Sequence, residues 1–130
     1  MTLTVEVVSP EAILFTGEAD MVVARTLGGG DIAFLTGHVS FLGALDDWPL
    51  RVIQESGQVT FAVHGGFVEV SNDRVTVLSD VAEHSNAIDV TRATAAFEKA
   101  DAALKADPDD LDAAAAVKRA STRLEVARAG

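Results

Sequence analysis

Up to about residue 80, hydrophobic and polar residues alternate along the chain with the period of two that is typical of half-buried β-strands. In the first such segment Leu3, Val5 and Val7 fall on one face, with polar residues between them. Turn-forming residues interrupt the alternation at regular intervals, and the pair Asn72-Asp73 is typical of a hairpin turn because both residue types tolerate positive φ. Many short strands separated by such turns predict an antiparallel sandwich or barrel.

The period changes to 3.6 from Asp89 onward, where Ala, Lys, Glu and Leu dominate. It predicts a first helix whose apolar stripe is formed by Ala93, Ala96, Phe97, Ala100 and Leu104. The segment ADPDD then interrupts the pattern, and Asp107 is expected to cap a second helix that starts at Pro108. The apolar stripe of this second helix comprises Ala113, Val117, Ala120 and Leu124. Two helices with a short connection predict an antiparallel hairpin over 87–130, after a β-rich domain over 1–86.

The predicted hairpin is rich in alanine, which limits how tightly it can dock. A buried alanine contributes far less than the ~1.5–3 kcal/mol of a buried Leu or Phe side chain. We therefore expect the two helices to form a marginally docked appendage that can leave its resting place.

The net charge of −10 is unevenly distributed, with −9 over residues 1–86 and −1 over 87–130, because seven of the ten basic residues lie in the tail. So acidic a chain is not expected to bind nucleic acid, which requires clustered Lys and Arg. The absence of cysteine excludes disulfides and thiolate chemistry. No stretch approaches the ~18 consecutive apolar residues of a membrane span, so membrane association is expected only through a complex.

Candidate catalytic and metal-binding groups are few. His38, His64 and His84 lack the spacing of metal ligands, so neutral histidines at the surface or partly buried, and no metal site, are the favoured interpretation. No nucleophile with a base and no close pair of carboxylates is recognisable, which disfavours an enzyme. The segment GGGDIAFLTGH lacks the ending of a phosphate loop; it is either a flexible turn or a recognition loop that presents Asp31 and the Gly37-His38 turn.

Basic residues on the two predicted helices form a second candidate site. Arg92 and Lys99 are seven residues apart and therefore nearly aligned on the first helix, and Arg119 and Arg123 are four apart on the second. Two interpretations stay open. These residues are either solvated charged faces or a site where arginine side chains converge on an anion or an acidic partner helix.

Several segments, in this order and spacing, resemble the epsilon subunit of bacterial ATP synthase. They are VEVVSPEAILFTGEADMVVA, LTGHVSFLGAL, GGFVEVSNDRVTVLSDVAE, AIDVTRA and KRASTRLEVA, so the resemblance spans essentially the whole chain. It implies the α+β fold of that family, an N-terminal antiparallel β-sandwich of about ten strands followed by a C-terminal antiparallel two-helix hairpin.

The resemblance also implies a function, that of a non-catalytic rotor subunit in the central stalk of proton-translocating ATP synthase. The sandwich would bind the gamma subunit and rest on the ring of c subunits. The hairpin would inhibit ATP hydrolysis by extending toward the alpha and beta subunits. No cofactor is required, ATP is a candidate regulatory ligand, and the protein would lie peripherally at the cytoplasmic face of the bacterial cell membrane.

Individual residues acquire roles by the same resemblance. Asp31, Gly37 and His38 match the loop that faces the c-ring, although Thr36 replaces the usual proline, which predicts a less rigid loop. The stretch LDDWPLRV also departs from the commoner Pro-Gly turn of the family. The candidate nucleotide-binding residues are Glu83, Asp89, Arg92, Lys99, Arg119 and Arg123. The basic side of the inhibitory helix comprises Lys118, Arg119, Arg123 and Arg128.

Alternatives remain for the site and for the whole chain. Asp89 is either an N-cap worth ~1 kcal/mol, with Arg92 in solvent, or part of an ATP site in which Arg92, Arg119 and Arg123 converge on phosphates. The rival for the whole chain is a small ligand-binding β-sandwich with capping helices. That rival requires an aromatic-lined pocket, and the six Phe and one Trp, which are scattered along the chain, give it little support.

Overall fold

A computed structural model describes residues 2–129, which form ten strands, one short 3-10 helix and two α-helices. The strands are β1 Leu3–Val8, β2 Ile13–Ala19, β3 Met21–Thr26, β4 Gly30–Phe34, β5 Phe41–Ala44, β6 Trp48–Gln54, β7 Gly57–Val63, β8 Phe67–Ser71, β9 Arg74–Leu78 and β10 Ala82–His84. The 3-10 helix Ser85–Ala87 follows, and the α-helices are α1 Val90–Ala106 and α2 Leu111–Ala129. The predicted boundary between residues 86 and 87 therefore falls inside the 3-10 helix.

The strands form two five-stranded sheets, and this β-sandwich followed by two helices confirms the predicted fold class. The first sheet has the order β2-β1-β9-β8-β5, and the second has the order β10-β7-β6-β3-β4. All the ladders are antiparallel except that between β1 and β9, which is parallel. The predicted turn at Asn72 and Asp73 joins β8 to β9, and both residues have positive φ.

The hydrophobic core lies between the two sheets and is built from the inward-facing positions of the alternating pattern. Leu3, Val5 and Val7 of β1 are all fully buried, and Phe34 and Phe61 are the largest buried side chains. The residues of this core cluster all lie between Leu3 and Ala82, so neither helix contributes to it. The sandwich therefore has a core of its own.

The hairpin docks on the sandwich mainly through α2, which packs against β6, β7 and the 3-10 helix. The two helices contact each other through small side chains, and their buried alanines are Ala93, Ala100, Ala113 and Ala120. Outside these alanines the predicted stripes are partly wrong, since Ala96 is exposed and Val117 and Leu124 are only half-buried. Thr122 and Val126 are fully buried instead, because the docked surface is set by where α2 meets the sheet.

The helix ends depend on acidic caps, one predicted correctly and one not. Asp89 caps α1, as its carboxylate accepts a hydrogen bond from the Arg92 amide at 3.0 Å. Asp107 does not cap α2. It ends α1 in an extended conformation, and its carboxylate accepts from the Asp109 amide at 3.1 Å within the turn. Asp110 caps α2 through the Ala113 amide at 3.0 Å, so the helix begins three residues later than predicted.

Candidate functional site

A cleft of about 320 Å³ opens between the end of the sandwich and the two helices. Its polar lining comes from three elements: Glu83 from β10, Asp89 and Arg92 from the start of α1, and Arg123 from α2. Four of the six predicted nucleotide-binding residues are thus brought together. The cleft lies within the range of small-molecule sites, roughly 300–1,000 Å³.

The electrostatics of the cleft are set by two arginines and two carboxylates. Arg123 donates from Nε to Glu83 Oε1 at 2.6 Å, and both side chains are about three-quarters buried. Asp89 is engaged by the α1 backbone, whereas the Arg92 side chain is exposed at the rim. Guanidinium groups from two different helices can grip a phosphate group between them. Such a ligand would have to compete with Glu83 for Arg123.

Glu83 Oε1 also accepts a hydrogen bond from His64, which follows β7. The distance from His64 Nε2 to this oxygen is 3.1 Å, and the His64 side chain is only 4% exposed. Its other ring nitrogen, Nδ1, is buried without a hydrogen-bond partner and lies 4.0 Å from Asp47 Oδ2. Burial lowers the pKa of His64 below its ordinary 6.5, and the charge of Arg123 acts in the same direction. Docking therefore favours the neutral imidazole over the protonated one.

A second set of contacts fastens α2 to the loop between β5 and β6. Lys118 Nζ lies 2.5 Å from Asp46 Oδ1, and the Thr122 hydroxyl donates to the Asp47 carbonyl at 3.1 Å. These pairs and the His64–Glu83–Arg123 group will be called the hairpin latch. The latch comprises Asp46, Asp47, His64 and Glu83 on the sandwich, with Lys118, Thr122 and Arg123 on α2.

The remaining basic candidates lie away from the cleft. Lys99 and Arg119 are exposed and do not line it. Arg128 lies 3.7 Å from Glu125 on its own helix. The roles predicted for these residues in nucleotide binding and inhibition stay predictions.

The segment predicted to face the c-ring comprises Asp31, in strand β4, and the loop with Gly37 and His38 that follows this strand. Asp31 is not a free carboxylate, because Arg25 Nε donates to it at 2.8 Å while the Arg25 guanidinium stacks 3.5 Å above the Trp48 ring. Gly37 has φ of 82° and donates its amide to Asp73 Oδ1 at 2.7 Å. The His38 ring contacts two aromatic rings, those of Phe34 and Phe41, at centroid distances of 5.1 and 6.4 Å.

Exposed apolar side chains surround this loop and also cross the outer face of the first sheet. Those near the loop are Leu27, Leu35, Val39 and Leu42, each more than half exposed. On the sheet, strand register aligns Ile13 with Val8, Val8 with Leu78 and Leu78 with Phe67. We call these four residues the outer apolar row. Ile13, Leu78 and Phe67 are 64%, 51% and 55% exposed, and a shallow cleft of about 270 Å³ lies beside them.

Sequence reasoning did not predict the latch contacts of Asp46, Asp47 and His64 or the outer apolar row. The α2 partners of Asp46 and Asp47 lie 72 and 75 positions away in the sequence, and His64 is linked to α2 through Glu83. The outer apolar row could have been predicted from the alternating pattern. In β8 and β9 valines occupy the inward-facing positions, so Phe67 and Leu78, which fall on the alternate positions, must face outward.

Across residues 2–129 no cluster of three or more His, Asp or Glu side chains is arranged to hold a metal ion. Over the same residues, neither helix has the length and apolarity needed to cross a bilayer.

Comparison with known proteins identifies the family. Residues 2–85 match the family model of the ATP synthase delta/epsilon chain β-sandwich domain. The ATP synthase epsilon chain of Streptomyces griseus is 42% identical over 123 residues, covering 94% of this chain and 92% of that one. That of Thermobifida fusca is 44% identical over 131 residues, covering 98% and 93%. The chain belongs to the ATP synthase epsilon-chain family. It is therefore a non-catalytic subunit of the synthase.

Solved structures share the fold. A chain of the Euglena gracilis mitochondrial ATP synthase, in a structure of OSCP, F1 and c-ring, superposes with a TM-score of 0.73 at 22% identity, covering 98% of this chain and 78% of that one. A chain from the central stalk and c-ring of the Tetrahymena thermophila enzyme gives a TM-score of 0.56 at 15% identity, covering 99% and 96%. At these identities the likeness concerns the fold alone.

Proposed function

We propose that the protein is a rotor subunit of the central stalk that couples proton flow to ATP synthesis and inhibits ATP hydrolysis through its hairpin. The observation that supports the regulatory role is that the sandwich and the hairpin are stabilised by different sets of contacts. The sandwich has a complete core between Leu3 and Ala82, whereas the hairpin is attached mainly by α2, through the buried side chain of Val126 and the polar latch. A helix pair held this way can leave without unfolding the domain that carries it.

Deletion of residues 87–130 tests the regulatory role. Since the sandwich core includes no helical residue, the truncated chain should fold, assemble with the synthase and release ATP hydrolysis. The matched control is the full chain assembled with the same subunits. Unchanged hydrolysis in a correctly assembled truncated complex would refute inhibition by the hairpin.

We infer that the outer apolar row is the surface that binds the gamma subunit. Contiguous exposed apolar side chains on the outer face of a sheet are typical of protein–protein interfaces. Phe67→Asp should abolish co-purification with gamma, whereas Ser56→Asp, in the exposed turn after β6, should leave it intact. Retention of gamma by a folded Phe67→Asp variant would place the interface elsewhere.

The loop with Asp31, Gly37 and His38 is proposed to rest on the c-ring. Its four neighbouring exposed apolar side chains, together with the Arg25–Asp31 pair, give it the mixture of apolar and polar groups that a protein contact uses. This placement corresponds to a peripheral subunit at the cytoplasmic face of the bacterial cell membrane.

The extended hairpin is proposed to meet the alpha and beta subunits through its basic residues. In the docked state Lys118 and Arg123 are engaged by Asp46 and Glu83. Release would free both cations, alongside Arg119 and Arg128, for acidic segments of a partner. Docking and inhibition are then mutually exclusive uses of the same side chains.

ATP is proposed as a regulatory ligand of the cleft. Arg92 and Arg123 project from α1 and α2, so a triphosphate held by both would tie the helices together in the docked position. Calorimetric titration with ATP, with and without magnesium, should show saturable binding that Arg92→Ala removes and Lys99→Ala preserves. If the wild type shows no heat of binding, the ATP site is refuted and Asp89 acts only as a helix cap.

A further inference from the structure

The hydrogen-bond pattern around His64 fixes where its proton lies. Glu83 Oε1 is an acceptor for both His64 Nε2 and Arg123 Nε, at 3.1 and 2.6 Å. A carboxylate can only accept, so the neutral imidazole carries its proton on Nε2 and a lone pair on Nδ1. That lone pair is buried without a donor. A buried acceptor left unpaired is costly, so this nitrogen is a place where a proton can be gained.

The charged groups that act on His64 come from both parts of the molecule. Glu83 lies on β10, and Asp47 lies in the loop between β5 and β6. Arg123 approaches Glu83 from α2, and the Lys118–Asp46 pair joins the same helix to the same loop. Departure of α2 therefore removes the positive charge of Arg123 and leaves the carboxylates of Glu83 and Asp47.

The placement of these charges determines whether acid favours docking or release of the hairpin. Burial is the main cause that lowers the pKa of His64, the charge of Arg123 lowers it further, and Glu83 and Asp47 oppose the shift. When α2 leaves, Arg123 is withdrawn and the imidazole gains access to water, while both carboxylates remain. The released state consequently binds a proton more tightly than the docked state, and by linkage a proton favours release.

We propose that His64 is a proton-sensitive element of the hairpin latch, so that the hairpin leaves the sandwich more readily as the pH falls. A proton on Nδ1 places a second cation beside Arg123 around the same Glu83 oxygen. The latch is fully formed above the ordinary histidine pKa of 6.5 and weakens as the pH falls from there toward the lowered pKa of the docked state. The inference rests on the proposed function only where release is equated with inhibition.

Amide hydrogen exchange of the intact chain tests the latch directly. The rate for residues 111–129 is measured between pH 7.5 and 5.5 for the wild type and for His64→Gln, whose amide still donates to Glu83 but does not titrate. Dividing the wild-type rate by the His64→Gln rate at each pH removes the intrinsic pH dependence of exchange. The ratio should rise several-fold toward pH 5.5, with a ceiling of about tenfold per pH unit for one proton.

His38→Gln is the matched control, because the His38 ring contacts Phe34 and Phe41 and its hydrogen bond is to the Val39 carbonyl, not to a latch residue. This variant should keep the wild-type response. A ratio that stays flat, or that falls toward acid because protonated His64 tightens its bonds to Asp47 and Glu83, would overturn the proposal.

A second measurement covers the case in which His64→Gln does not fold. In the wild type, the ring signals of His64 and the methyl signals of Val126 are followed by NMR over the same pH range. Proton-linked release requires the Val126 signals to change along the His64 titration curve, and independent curves refute it. Both measurements use the isolated chain, so their failure is distinguishable from failure of the proposed inhibition, which is read from ATP hydrolysis in the assembled synthase.

Discussion

At the scale of single residues, Glu83 connects the sandwich to the hairpin. One of its oxygens accepts hydrogen bonds from a sandwich histidine and from an arginine of α2. Hydrogen bonds to charged groups are worth about 1.5–3 kcal/mol, although the partial exposure of Glu83 and Arg123 reduces that contribution. The same carboxylate also borders the cleft, so docking and ligand binding both depend on it.

Glu83→Gln should therefore loosen the hairpin without unfolding the sandwich. The substitution keeps the shape but removes the charge, and we expect docking to weaken by about 1–2 kcal/mol. Trypsin is a suitable probe, because seven of the ten Lys and Arg residues lie in 87–130. Cleavage within the hairpin should accelerate several-fold relative to Glu69→Gln, an exposed carboxylate of β8. Equal cleavage of both variants would mean that Glu83 does not restrain α2.

Asp73 positions the Gly37-His38 turn through a hydrogen bond to the backbone. Asp73 has φ of 59°, and its carboxylate accepts the Gly37 amide. Asp73→Gly permits that backbone but removes the acceptor, whereas Asp73→Asn keeps both. Exchange of the Gly37 amide should rise in the glycine variant and stay near wild type in the asparagine variant. A rise in both would point to the charge rather than the hydrogen bond.

At the scale of elements, the two helices are unequal. α2 carries most of the contact with the sandwich and contributes the fully buried Val126, whereas much of the alanine surface of α1 faces solvent. Alanine contacts bury little apolar area, so the hairpin should open far more often than the strands.

Amide exchange and one cavity-forming substitution test whether the hairpin opens more often than the strands and whether α2 carries its docking. Amides of residues 89–128 should exchange faster than those of β1, β7 and β9, and Val126→Ala should weaken docking by on the order of 1–3 kcal/mol. Val117→Ala is the control, since Val117 is only half-buried. Uniform protection across the chain would show that the hairpin and the sandwich form one cooperative unit.

Elements shaped by interactions between residues close in sequence could be predicted, whereas contacts between residues far apart in sequence could not. The strands and the Asp89 cap were predictable because alternation and a capping carboxylate act over a few residues. The prediction that Asp107 caps α2 was wrong because three aspartates, Asp107, Asp109 and Asp110, are nearly equivalent as caps and leave the choice to the turn geometry. Thr122 and the Lys118–Asp46 pair were invisible, since their partners are 75 and 72 positions away.

At the scale of the whole molecule, charge separation supports docking. Residues 1–86 carry a net charge of −9 and the hairpin carries nearly balanced charge, with four of its seven cations on α2. The latch places two of these cations, Lys118 and Arg123, on sandwich carboxylates. The acidic sandwich thus holds the basic side of α2, and release must work against that attraction.

Salt should consequently weaken docking, and unevenly between the two ion pairs. The Debye length falls from about 10 Å at 0.1 M to about 3 Å at 1 M salt, which screens exposed charges more than buried ones. Lys118 is 48% exposed and Arg123 is 28% exposed, so most of the salt sensitivity should come from Lys118.

Hairpin opening, measured by exchange of residues 111–129, should rise several-fold between 0.05 and 1 M sodium chloride in the wild type. Lys118→Met keeps the apolar part of that side chain, and its opening should rise much less. If salt tightened the hairpin in both proteins, apolar burial and not charge would govern docking.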